Sequence, residues 1–260
     1  MKLRIYQADA FASGLFKGNP AAVVPLKDWL SDEIMQNIAS ENNLSETAFF
    51  VPENKNFHIR WFTPKSEVDL CGHATLATAH ILFNELNYQN EILSFKSKSG
   101  ILTVHKTGDL LQLDFPADTI NPTDTNPVFT EAFGVQATAI LKGRTDYLLL
   151  FDSEEVIRNI KPNFHILKQT DARGIIVTAK GIEVDFVSRF FAPNEGIDED
   201  PVTGSAHTTL VPFWADRLNK TELTAFQLSE RGGQLWCSLK TDRVLIAGKA
   251  VTYLRGEIEI

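Results

Sequence analysis

Three short stretches of this 260-residue chain carry the side chains best suited to acid–base chemistry. The first is Ser45-Glu46, where a polar loop gives way to the apolar run Thr47–Val51. The second is Cys71-Gly-His-Ala-Thr75 and the third Asp200-Pro-Val-Thr-Gly-Ser205, each leading into an apolar, helix-like run. If Glu46 is tucked against aromatic neighbours such as Phe49 and Phe62, its carboxyl is desolvated, the setting a proton-transfer group requires. A glycine followed by a small or polar residue at a helix head leaves backbone N–H groups pointing outward. Together with the helix dipole they make an anion site. Proton transfer on a small carboxylate is the chemistry these residue types suggest. Blander readings stand beside it: Gly72 and Gly204 as aids to close helix packing, Asp198-Glu-Asp200 as a solvated loop, and Cys71 as a small buried hydrophobe.

The elements that position these residues occur twice. Arg60-Trp-Phe-Thr-Pro64 precedes the Gly72 turn, and Arg189-Phe-Phe-Ala-Pro193 precedes the Gly204 turn. Arg189 follows Arg60 by 129 positions and Gly204 follows Gly72 by 132, so the second loop is three residues longer. Both spacings are close to half the chain. The repeat predicts an α+β fold of two pseudo-twofold-related lobes, each a mixed or antiparallel barrel-like sheet around a central helix. The central helices are expected at 74–83 and 206–217, the first free of charge and so buried all round. Ser31 and Ser153, each followed by two acidic residues, are expected helix caps. The stretch 117–127, rich in Pro, Asp, Thr and Asn, reads as a linker between lobes at 1–116 and 128–260. Two symmetry-related turns are expected to face a common cleft.

Composition narrows the class. A net charge of −8 and a pI near 5.3 disfavour a nucleic-acid partner. Two cysteines exclude a disulfide scaffold. With no apolar signal core and no run of about 18 apolar residues, a cytoplasmic protein with no membrane partner is expected. His73, His80, Cys71 and His207 lack the spacing of a recognised zinc site, so no metal is expected, and His80 reads as a core histidine. Dinucleotide, phosphate-loop and nucleophile-elbow motifs are missing too, so no cofactor is expected, and no histidine base is placed against Ser205 for a hydrolase.

Taken together, Ser45-Glu-Thr-Ala-Phe49, Cys71-Gly-His-Ala-Thr75 and Asp200-Pro-Val-Thr-Gly-Ser205 resemble the PhzF-like phenazine-biosynthesis family. Gly18-Asn-Pro-Ala-Ala-Val23 and Arg60-Trp-Phe-Thr-Pro64 fit as well, so the resemblance spans nearly the whole chain in order. It implies a diaminopimelate-epimerase-like fold and a cofactor-independent isomerase that moves a proton on a cyclic, carboxylate-bearing substrate. Glu46 would be general base and then acid, supported by His73, Asp200 and Ser205. Ser45, Gly72, Gly204 and Asn19 would bind substrate, and a homodimer is implied. Related epimerases use a cysteine at each helix head; here Cys71 has Thr203 as its counterpart, which disfavours a two-thiol racemase. The alternative is a non-catalytic protein that keeps the fold to bind a small ligand or a partner.

Overall fold

Parallel strand pairs need a crossover between them, and both halves of the repeat use helices for this. The computed structural model describes residues 1–124 and 126–260. Among them the α-helices are α1 (Asp32–Asn42), α2 (Gly72–Asn84), α3 (Pro127–Phe133), α4 (Glu154–Asn159), α5 (Phe164–Leu167) and α6 (Gly204–Leu218). Two units result, one of Met1–Asp114 with Ala247–Ile260 and the other of Phe115–Ile246.

In the first unit, Lys2–Ala10 runs antiparallel to Asn19–Pro25, which lies parallel to Glu46–Glu53. That strand is antiparallel to Asn56–Phe62, which is parallel to Ile92–Ser97, itself antiparallel to Gly100–Thr107. The second unit repeats the pattern. Ala139–Lys142 is antiparallel to Asp146–Leu150, which is parallel to Gly174–Lys180. The latter is antiparallel to Phe186–Ala192, which is parallel to Glu222–Gln227, itself antiparallel to Gly233–Lys240. The expected mixed sheet around a central helix is present in each unit. Helix α2 is buried on nearly every face, as its uncharged sequence requires.

Arg60 and Arg189 mark the repeat in three dimensions. Arg60 holds Glu67 through two bonds of 2.7 and 2.8 Å, and Arg189 holds Glu199 through two of 2.7 and 2.9 Å. The Arg60 guanidinium keeps the Glu67 carboxyl down at about 2. The three extra residues of the second copy fall between Arg189 and Glu199, where Pro193–Glu195 forms a 3₁₀ turn.

The ends of the second half differ from the expected boundaries. The strand Ala250–Glu259 pairs along Lys2–Ala10, so the C-terminus belongs to the first unit rather than to a lobe running from 128 to 260. It is also tied to α2. Asn84 donates to His80 Nδ1 at 2.9 Å, His80 Nε2 lies 3.0 Å from Thr252 Oγ1, and Thr252 donates to Glu85 at 2.8 Å. This arrangement needs a neutral ring that accepts at Nδ1 and donates at Nε2, and burial holds the His80 pKa down to about 4. Residues of the expected linker are engaged too. Pro212 lies inside α6 and has no N–H for the Thr208 carbonyl one turn earlier; the Asp118 N–H donates to that carbonyl instead, at 3.1 Å. Thr125, in the same stretch, lies outside the described residues.

Candidate active site

Four helices begin with a side-chain cap: Ser31 on α1, Asn126 on α3, Ser153 on α4 and Asn163 on α5. The central helices α2 and α6 do not. Cys71 and Thr203 occupy their cap positions without a side-chain bond to the first turn. A cap is ordinarily worth about 1 kcal/mol, so both heads forgo stability that a suitable serine or aspartate would supply. The two turns are thus left open to an outside acceptor.

At the head of α2 the chain gathers Glu46, Cys71, His73 and Asn19. Glu46 opens its strand directly opposite Ala21, two residues after Asn19. Gly18 is what allows Asn19 to enter here, since its φ is +74° and a Cβ would collide with the Ala10 carbonyl. Asn19 is fully buried, and its amide nitrogen lies 3.3 Å from His73 Nδ1. Cys71 Sγ lies 3.6 Å from the same nitrogen. On the other side of the ring, His73 Nε2 lies 3.2 Å from Glu46 Oε2. The contact is at ion-pair distance but off the N–H direction, so neither atom has a well-aligned hydrogen bond.

The charges follow from this packing. Burial opposes a protonated His73, yet the acidic groups of Cys71 and Glu46 more than offset it and raise its pKa well above the ordinary value. Burial pushes the Cys71 thiol up, and the Glu46 charge adds to the effect. The thiol therefore stays protonated near neutral pH, which leaves Glu46 as the acidic neighbour that favours a protonated ring. Asn19 suits either state of the ring, because half a turn of its amide exchanges a donor for an acceptor at Nδ1.

The head of α6 is built differently. The Thr203 hydroxyl donates to Asp200 Oδ2 at 2.5 Å, and its N–H donates to Gln227 Oε1 at 2.8 Å. Gln227 Nε2 donates to the Asp200 carbonyl at 2.8 Å and to Thr203 Oγ1 at 3.2 Å. Asp200, Thr203 and Gln227 are all buried. His207 Nδ1 lies 2.8 Å from the Thr203 carbonyl; burial holds its pKa down to about 4, so this ring is a neutral donor.

The position that Glu46 holds in the first unit is filled in the second by Gly174. Phe49 pairs with Arg60 and Val177 with Arg189, so the residues three earlier, Glu46 and Gly174, correspond. No side chain fits at 174: a Cβ would collide with the Phe190 ring and come within 2.9 Å of Asp146 Oδ1. Asp146 is buried there and is held by Arg173.

Of the residues singled out from sequence, Glu46, His73, Asn19 and Gly72 come together at the first head, with half-buried Ser45 preceding Glu46. Asp200 and Gly204 belong to the second. Ser205 corresponds to His73 but stands exposed, whereas His73 is buried. Gln227 was not anticipated: a lone glutamine ending a strand gives no signal until the fold places it against Thr203. Cys71 is buried, and it also contacts His73. Among the described residues, no helix is long and apolar enough to cross a membrane.

Comparison with known proteins identifies the family. Residues 8–256 match the family model described as phenazine biosynthesis-like protein. An uncharacterized isomerase of Pseudomonas aeruginosa is 52% identical, with all of both chains covered. The crystal structure of a PhzF-family phenazine biosynthesis protein from Enterococcus faecalis is 49% identical, covers all of both chains and superposes with a TM-score of 0.98. A hydroxyproline epimerase from Agrobacterium vitis shares the fold alone, at 10% identity and a TM-score of 0.62 over 99% of this chain and 91% of its own. The chain belongs to the phenazine biosynthesis-like family, the PhzF-like isomerases.

Proposed function

We propose that the protein is an isomerase that moves a proton on a small, carboxylate-bearing substrate, with Glu46 as general base and then general acid. The observation that carries this reading is the pairing of half-buried Glu46 with buried His73, whose facing atoms lie 3.2 Å apart without a well-aligned hydrogen bond. A carboxylate satisfied on all sides would have no lone pair to offer a C–H bond. This one keeps spare capacity, and a histidine with a raised pKa stands beside it to balance its charge.

In the proposed reaction, Glu46 removes a proton from a carbon α or vinylogous to the substrate carboxylate. The resulting carboxylic acid returns the proton to another carbon of the same conjugated system. His73 stabilises the carboxylate at the start and end of the cycle, and Asn19 holds the ring. The uncapped first turn at Gly72 supplies N–H groups for a substrate carboxylate or for the enolate oxygen that develops. At the second head, Asp200, Gly204 and Ser205 are proposed to contribute to substrate binding. As written, the steps use side chains and backbone alone, and the family resemblance adds a homodimer.

The test is incorporation of solvent deuterium into candidate cyclic amino acids and dihydroaromatic acids, after a thermal-shift screen for carboxylates that bind. Wild type should label a bound ligand, and Glu46→Gln should reduce the rate about a thousandfold. Equal labelling by both proteins would remove Glu46 from the reaction. Binding without labelling by either would favour a ligand-binding protein on the same fold.

A further inference from the structure

Glu46, Cys71 and His73 each offer one donor atom, and the three atoms lie within 4.8 Å of one another. They form a mixed set of one sulfur, one imidazole nitrogen and one carboxylate oxygen, two of them on residues almost wholly buried. We propose that this cluster is a binding site for a thiophilic divalent cation, Zn2+ above all, and that the ion and the proton-transfer reaction exclude one another.

The geometry meets the requirement closely. Zinc bonds of about 2.3 Å to sulfur and about 2.0 Å to nitrogen, at a tetrahedral angle, set the two donors roughly 3.5 Å apart. Cys71 Sγ and His73 Nδ1 are 3.6 Å apart. The Glu46 carboxylate, whose donor oxygen lies within 4.8 Å of the other two donors, has to move closer to become the third protein ligand, leaving a fourth position for water or an anionic ligand. A second observation points the same way: His73 Nε2 and Glu46 Oε2 are buried without a well-aligned bond, so the carboxylate can leave the ring, and an ion at Nδ1 takes the place of the Asn19 amide that lies 3.3 Å away. The donor set selects the metal, because thiolate and imidazole suit Zn2+ and hard, oxygen-preferring Mg2+ and Ca2+ do not. On binding, the Cys71 S–H bond breaks and sulfur keeps the electron pair to bond the metal, the protonated His73 ring gives up the proton on its coordinating nitrogen, and both protons leave to solvent. Cys237 provides the contrast, being buried in the second unit and outside any such cluster among the described residues.

The exclusion clause rests on the proton-transfer role proposed for Glu46; binding of the ion does not. An ion at this place takes up the Glu46 carboxylate and a nitrogen of His73, the two groups that would hold the moving proton.

Untagged, chelator-stripped protein titrated with Co2+ provides the test. The expected result is a near-ultraviolet thiolate-to-cobalt charge-transfer band that saturates at one equivalent, withstands excess Mg2+, and is erased by Zn2+ or a chelator. Cys71→Ser should lose the band and bind Zn2+ at least about tenfold more weakly, whereas Cys237→Ser should keep both. Should Cys71→Ser fail to fold, Glu46→Gln provides the second probe, with the band kept and the affinity reduced. No charge-transfer band in wild type, or one that survives Cys71→Ser, overturns the site. Deuterium incorporation in the presence of one equivalent of Zn2+ separates the two claims. Bound ion with undiminished exchange refutes the Glu46 assignment and leaves the site, while Glu46-dependent exchange with no bound ion refutes the site alone.

Discussion

The heads of α2 and α6 share one supersecondary pattern and each buries a histidine Nε2 without a hydrogen bond, on His73 and on His207, yet they differ in how the residues around the cap are bonded. At α6, Thr203 donates to Asp200, accepts from Gln227 and has its N–H bonded to the same glutamine. At α2, Glu46 and His73 face each other at 3.2 Å without an aligned bond. A saturated network holds a geometry and has little capacity left for chemistry. An under-satisfied pair costs stability and keeps a proton available. On the proposed reading, one copy of the duplicated turn serves proton transfer and the other holds the geometry of its helix head.

Gly174 shows that the difference is built into the sheet as well as the turns. The space that Glu46 occupies in its own unit is taken in the other by the Phe190 ring and the Asp146 carboxylate. A second proton carrier cannot be accommodated at 174 without repacking that core.

The sharpest challenge to this contrast is His73→Gln. Exchange should fall about a hundredfold, because Glu46 loses the cation that balances it. The same variant carries a pH signature. The folded His73 pKa is raised, so the stability of its pairing is fully present below the unfolded value of about 6.5 and is lost as pH rises through the folded value. Thermal melts of wild type should therefore decline from neutral towards alkaline pH, and His73→Gln should flatten that limb. An unchanged alkaline limb would mean that the ring is neutral in the folded protein.

Smaller effects are expected from the rigid half. Gly174→Ala should cost about 2 kcal/mol in denaturant unfolding, since the Phe190 ring has to move to admit a methyl group. A cost near zero would mean that the Phe190 ring does not exclude a side chain at 174. Gln227→Leu should cost about 1–2 kcal/mol by stranding the Thr203 N–H and the Asp200 carbonyl. Exchange by that variant should fall less than with His73→Gln, because the helix head is loosened and no proton carrier is lost.

Much of this was legible in the residues. The Arg-aromatic-Phe signatures gave away the repeat because each arginine must find its own acidic partner, and Glu67 and Glu199 supplied them in order. Glu46, His73 and Asn19 could be read from local motifs, since each sits where a loop meets a strand or helix. What escaped was set by long-range register. The strand Ala250–Glu259 pairs with residues at the opposite end of the chain, and its mostly exposed side chains leave no alternating pattern to find. Gln227 and Gly174 became significant only when Thr203 and Phe190 were folded against them. The stretch 117–127, expected as a linker, is engaged at Asp118 for a related reason: Pro212 creates an orphan carbonyl in α6, and Asp118 is drawn in to satisfy it.

The central claim is a division of labour between the two heads, and one paired measurement addresses it most directly. With any ligand that wild type labels from deuterated solvent, dissociation constant and exchange rate are measured for Glu46→Gln and for Ser205→Ala. The account predicts that Glu46→Gln binds within about threefold of wild type yet exchanges about a thousandfold more slowly. Ser205→Ala should weaken binding while its exchange at saturating ligand stays within about tenfold of wild type. Near-normal exchange in Glu46→Gln together with its loss in Ser205→Ala would contradict the account, placing the proton carrier at the α6 head.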